Sequence, residues 1–187
     1  MKKVIFYIFA VCFVLFLVLV ILRICNMEST DVLNEITPTD CARAAYSAGE
    51  KLLTHEPDMT ISGDGYMRCY SIVYIPSEKE FQVTVKFNKT AYDKLGASVE
   101  DGFAFKLYDT ASDKEFTDYT ATRDSEGLYG YYRIVFSGVS FLDTSDLEVV
   151  MFPKDDDSKY SAIKIHKSGQ AFEDYKLSEK EVASLEG

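Results

Sequence analysis

The sequence predicts a mainly β chain: an antiparallel β-sandwich, or a barrel-like variant, with one flanking amphipathic helix and a short C-terminal helix, preceded by a single transmembrane helix. Three observations predict it. An apolar run opens the chain, the hydrophobic period changes to two beyond Met59, and about eight short strands then follow at close spacing. With 47% hydrophobic and 27% charged residues, the chain is neither disordered nor collagen-like.

Residues 4–22 (VIFYIFAVCFVLFLVLVIL) are apolar without interruption, flanked by Lys2, Lys3 and Arg23. As a helix the run is about 28 Å long, close to the thickness of a bilayer core. A secretory signal core usually holds about 7–15 residues and ends in small ones. Residues 22–25 (LRIC) offer no such site, and Arg23 and Ile24 ill suit a lipoprotein box at Cys25. Residues 1–25 are therefore expected to be a cytoplasmic stub and retained anchor, with residues 4–22 in the lipid bilayer. A pilin-type helix is excluded because no acid occurs before Glu28.

Charge sets the expected orientation. Lys2, Lys3 and the α-amine precede the run; Arg23 and then Glu28, Asp31 and Glu35 follow it, so the N-terminus is expected in the cytoplasm and the rest outside. Three of the 20 basic residues flank the run, leaving 17 against 30 acidic ones. Such a domain is repelled by anionic head groups and has no basic stripe for nucleic acid.

Residues 26–37 read as a juxtamembrane linker and residues 38–187 as the extracytoplasmic domain. Thr37 to Asp40 offer capping residues for a helix whose face is Cys41, Ala45, Ala48 and Leu52, ended by His55, Glu56 and Pro57. In the next segment Met67, Cys69, Ser71, Val73 and Ile75 alternate with Tyr66, Arg68, Tyr70, Ile72 and Tyr74. Phe81, Val83, Val85 and Phe87 alternate with Gln82, Thr84 and Lys86, the pattern of a strand wet on one face. A helical turn (TAYDKL) precedes a strand bearing Phe103, Phe105 and Leu107. Residues 116–122 and 128–137 flank a hairpin loop at 123–127. Strands are expected at 147–152, 162–167 and 171–175. Ser178 and Glu181 have the form of a capping box.

Cys41 and Cys69 both fall on expected buried faces, and outside the cytoplasm a disulfide between them is permitted; it is expected here. His55 and His166, the only histidines, read as a loop residue and a solvent-facing strand residue. No nucleophile elbow, Cys/His signature, phosphate loop or dinucleotide motif occurs, so neither catalytic residues nor a cofactor is expected. Asp155, Asp156 and Asp157, near Asp143 or Asp146 in sequence, lack the Gly and terminal Glu of a calcium loop, and a solvated turn explains them. No metal is expected. Asn88, Lys89 and Thr90 match a glycosylation sequon.

Twelve of the 13 tyrosines lie beyond the apolar run. Tyr66, Arg68, Tyr70 and Tyr74 share one expected strand face, and tyrosine suits contact with protein or sugar. The sequence thus points to a non-catalytic binding or assembly module of the cell envelope with a protein or glycan partner. The competing reading is an envelope hydrolase using paired carboxylates.

Overall fold

Helix α1 spans Lys2–Cys25, 24 residues. The computed structural model describes residues 2–25, 33–97, 102–126, 129–140 and 144–187, with side chains of α1 at Phe9 and 11–21. Residues 13–19 of α1 are all exposed. Successive helical positions lie about 100° apart, so the exposed apolar surface runs right round the axis. Among the described residues no helix is long and apolar enough to cross a membrane. The chain divides into two units, Met1–Thr30 and Asp31–Gly187.

The second unit is mainly β. Its elements are helix α2 (Asp40–Ser47), strands β1 (Leu53–Thr54), β2 (Met67–Ile75) and β3 (Glu80–Asn88), helix α3 (Thr90–Leu95), strands β4 (Phe103–Asp109), β5 (Lys114–Phe116), β6 (Tyr119–Glu126), β7 (Tyr129–Phe136), β8 (Leu147–Pro153), β9 (Ser161–His166) and β10 (Glu173–Asp174), and helix α4 (Glu179–Glu186). They form a six-stranded sheet, β10-β1-β2-β3-β7-β6, and a four-stranded sheet, β5-β4-β8-β9, all antiparallel and neither closed as a barrel.

Alternation along the strands builds the core. Phe81, Val83, Val85 and Phe87 of β3 and Ile134 and Phe136 of β7 join Phe105 and Leu107 of β4, Val149 and Met151 of β8, and Ile163 and Ile165 of β9 in one buried cluster. Each such side chain contributes about 1.5–3 kcal/mol on full burial. A second cluster lies on the other side of β2: Val73 and Ile75 meet Ile36, Ala42, Ala45, Leu52 and Leu185. The small Ala42 and Ala45 let α2 lie close to the strand.

That second layer corrects the expectation that β3 is wet on one face. Gln82, Thr84 and Glu80 are buried, because residues 33–39 and α2 lie over them. Thr37 exchanges two hydrogen bonds with Gln82, and Thr39 donates to Glu80. Of the expected linker, 26–32 lie outside the described residues, whereas Leu33 and Ile36 are buried in the domain.

Helix α2 is shorter than expected. Thr39 caps it, accepting from the Ala42 amide, and Gly49 ends it at φ +69°. The Gly49 amide donates to Tyr46 and that of Glu50 to Ala45, a Schellman closure that a residue with a β-carbon adopts only under strain. The buried face is accordingly Ala42 and Ala45. The capping box of α4 is present, Ser178 and Glu181 bonding reciprocally. In the hairpin, residues 123–126, expected as loop, continue β6, with Glu126 opposite Tyr129; 127–128 lie outside the described residues. The last strand is only two residues long.

The expected disulfide is absent: Cys41 and Cys69 are both free thiols. Cys69 belongs to the inter-sheet cluster. Cys41, in the first turn of α2, lies near enough to Glu80 to feel its charge, and Glu80 lies on the other face of the six-stranded sheet from Phe81. A sheet therefore stands between the two sulfurs, beyond the reach of a bridge.

Candidate functional site

The edge of β2 is unevenly covered. β1 meets it only through Leu53 opposite Tyr74, and the chain then turns away at His55, Glu56 and Pro57. Pro57 has no amide proton with which to extend the ladder. The chain returns at 60–62, where the Cys69 amide donates to Thr60, Ser62 to Met67, and Ile61 stands opposite Arg68. On its way back the Asp58 and Met59 amides donate to Ile165 and Lys164 of β9.

Between Cys69 and Tyr74, β2 is bulged, and it is paired with β3 alone among the described strands. This gap is a cleft of about 540 Å³, lined by Tyr70, Ser71 and Ile72 of β2, by His55 and Glu56, and by Tyr175. Thr54 Oγ1 donates to the Ile72 carbonyl at 2.6 Å beside it. Its volume falls within the range of about 300–1,000 Å³ usual for ligand sites.

The bulge redistributes the expected tyrosine face. Up to Cys69 the odd-numbered residues point into the inter-sheet core. Beyond it Ile72 takes that role and Tyr74 packs beside it, 5.8 Å from Phe81 and 5.6 Å from Phe172 between ring centroids. Tyr66 also packs against the main cluster. Only Arg68 and Tyr70 stay together, the guanidinium carbon 5.3 Å from the ring centroid. The four do not form one surface.

His55 lies in a loop, as expected, but it is buried there, and His166 does not face solvent. His55 and His166 are buried, 7% and 2% exposed, with His166 Nδ1 3.1 Å from His55 Nε2. A register shift in β9 explains His166. It stands opposite Leu147 while Lys164 stands opposite Glu148, so Ile165 and His166 are both turned inward. No glycine marks that bulge, so strand alternation pointed His166 to solvent. Phe172 lies against both rings, edge-on to His55 at 4.6 Å and stacked on His166 at 5.1 Å. His55 Nδ1 lies 2.7 Å from the Glu56 carbonyl, which also accepts from Gln170 Nε2 at 2.6 Å. Burial holds His55 below the usual histidine range, and the bond to that carbonyl offsets only part of it.

Two of the three buried carboxylates among the described residues, Asp109 and Glu181, serve a turn and a helix cap. Burial raises the Asp109 carboxyl, but bonds from Ser112, Ser145 and the Asp146 and Ala111 amides outweigh it and leave it below the usual range. Glu181 is lowered in the same way: burial is overcome by bonds from Tyr175, Ser178 and the Ile36 amide. A general acid needs the opposite shift. Asp156 bonds to Ser158 in its own turn; Asp143 lies outside the described residues. Among the described residues no three His, Cys, Asp or Glu side chains group as metal ligands.

No family model matches the chain, and no curated protein or solved structure matches it either.

Proposed function

We propose that this chain is a membrane-anchored binding module of the cell envelope: α1 crosses the bilayer, and a β-sandwich domain outside the cytoplasm holds an extended segment of a partner protein in the cleft along β2. Support for the anchor is the 19-residue apolar run within α1 and the exposed apolar side chains on every side of its described part. Such a surface is stable only against lipid or protein. The flanking charges support a cytoplasmic N-terminus.

One observation carries the partner's chemistry. Between Cys69 and Tyr74 the main chain of β2 lacks a strand neighbour on the side away from β3. An added strand satisfies such an edge, and the bulged Tyr70 with Arg68 over its ring supplies an aromatic surface and a positive charge at the same place. A glycan would use the tyrosine faces but not the main-chain edge.

A photocrosslinking residue at position 70, in membranes from the cells that make the full chain, tests this reading. Position 160, exposed and remote from the cleft in sequence, serves as the control. A protein adduct at 70 and none at 160 is expected; equal adducts at both, or a glycan adduct at 70, overturns it. Protease added to intact cells is expected to digest the β domain, and sparing it until lysis overturns the external placement.

A further inference from the structure

The only two histidines of the chain lie 111 residues apart in sequence and meet ring to ring inside the domain. Their hydrogen-bond chain has one sense. A carbonyl only accepts, so His55 Nδ1 carries the proton directed at Glu56. Neutral His55 then offers Nε2 as acceptor, and His166 Nδ1 is the donor across the 3.1 Å contact.

The pair has a limited capacity for protons. One added proton keeps the contact, because a single N–H still lies between the rings. A second leaves two N–H groups facing each other and two positive charges in a buried pocket under Phe172. The contact then breaks. Around the pair, Glu56 presents its carbonyl to His55, and Glu56 and Glu173 line the cleft. From β8, Leu147 stands opposite His166. Along β9, Lys164 reaches Glu148 at 3.9 Å, Lys167 follows His166, and Asp146 accepts from the Ser168 amide. Asp58 is tied to Ile165 through its amide, and Tyr74 stands behind Phe172.

We propose that His55 and His166 form an acid-released latch that holds one wall of the cleft. At neutral pH the pair ties the chain leaving β1 to β9, and the Glu56 carbonyl fixes Gln170 of the following turn. Acid breaks the pair, frees His55 and Glu56 from β9, and opens the cleft. Release of the bound segment in acid rests on the binding role proposed above; the latch itself does not.

Amide exchange of the full chain in detergent tests it, each rate divided by its chemical exchange rate. Opening exposes histidines of ordinary affinity, so protection of Met59, which donates to Lys164, is expected to fall below about pH 6. The fall is about tenfold per pH unit if the closed pair keeps one proton and about a hundredfold if it keeps none. Protection of Val83, in the centre of the large sheet, is expected to stay constant. The variant His166→Phe keeps a ring against Phe172 and is expected to remove the acid response. Should that variant not fold, proton NMR titration of the two wild-type imidazoles decides: coupled curves with one midpoint below 6 support the latch. Independent curves near 6.5, or Met59 protection unchanged from pH 7 to pH 5, overturn it. An adduct at position 70 is scored separately at pH 7. Its absence with the acid response intact rejects the partner and keeps the latch, and a flat response with the adduct present does the reverse.

Discussion

The side-chain amide of Gln82 pairs with the main chain of Thr37 in both directions. Nε2 donates to the Thr37 carbonyl at 2.9 Å and Oε1 accepts from the Thr37 amide at 2.8 Å. Gln82 thus fastens the segment before α2 across β3 as a neighbouring strand would. Nε2 also donates to Glu80 Oε1 at 2.7 Å, the atom to which Thr39 donates. Gln82→Leu keeps comparable volume but leaves the Thr37 amide unmatched over an apolar side chain, and its carbonyl with the Thr39 amide alone. An unmet buried polar group costs about 1–3 kcal/mol, so a loss of about 1–3 kcal/mol is expected. The urea midpoint of the full chain in detergent measures it, with amide exchange at Thr37 rising more than at Val83. An unchanged midpoint would mean that Gln82 only touches the segment.

Glu181 predicts a second dependence on pH, in the carboxylate range. Its folded carboxyl lies below the ordinary value because the charged form accepts from Tyr175, Ser178 and Ile36, which together outweigh burial. A lowered folded value means that the unfolded chain binds more protons. The stabilisation is therefore complete above about pH 4.5 and lost as pH falls through the folded value. Glu181→Gln is expected to be less stable at pH 7 and to have a flatter melting temperature between pH 5 and pH 3. A parallel pH slope in wild type and variant would assign the acid sensitivity to other groups.

How far the sequence revealed this protein depends on the range over which each signal acts. The capping box at Ser178 and the alternation of Phe81, Val83, Val85 and Phe87 are local, and the structure has both. The bulges at Tyr70 and in β9 carry no sequence marker, and each reverses the facing of the strand residues beyond it, which misdirected Tyr74 and His166. The burial of Gln82 depends on a segment 45 residues away. The gap beside β2 arises where β1 is only two residues long, a consequence of tertiary pairing. Of the candidate site, then, Tyr70 and Arg68 were legible, and the cleft and the histidine pair were not.

Gly102 stands where a side chain has no room. Its φ is +65°, and an added β-carbon would lie 2.8 Å from the Tyr132 hydroxyl. Tyr132 is itself held in the core, stacked 5.1 Å from Phe87 and edge-on to Phe105 at 4.7 Å, so its ring cannot retreat cheaply. Gly102→Ala combines backbone strain with overpacking, and a loss of about 2–4 kcal/mol is expected. Adding Tyr132→Phe removes the atom it meets and should restore part of that loss. If the double variant is no more stable than the sum of the two single changes, the contact is not the cause.

Free thiols at positions 41 and 69 give the last prediction. Burial pushes the Cys69 thiol up to about 12, and it raises Cys41 as well, with the Glu80 charge adding to the effect. At pH 8 a thiol of that value is ionised to about one part in ten thousand, and the thiolate is the reacting form. In the Cys12→Ser, Cys25→Ser background, iodoacetamide is expected to leave Cys69 unmodified in the folded chain and to reach both cysteines only in denaturant. Reducing agent should not move the melting temperature, since no bond crosses the sheet between the two sulfurs. A melting temperature lowered by several degrees on reduction would show that the sulfurs do pair, and would require the start of α2 to move to the other face of β2.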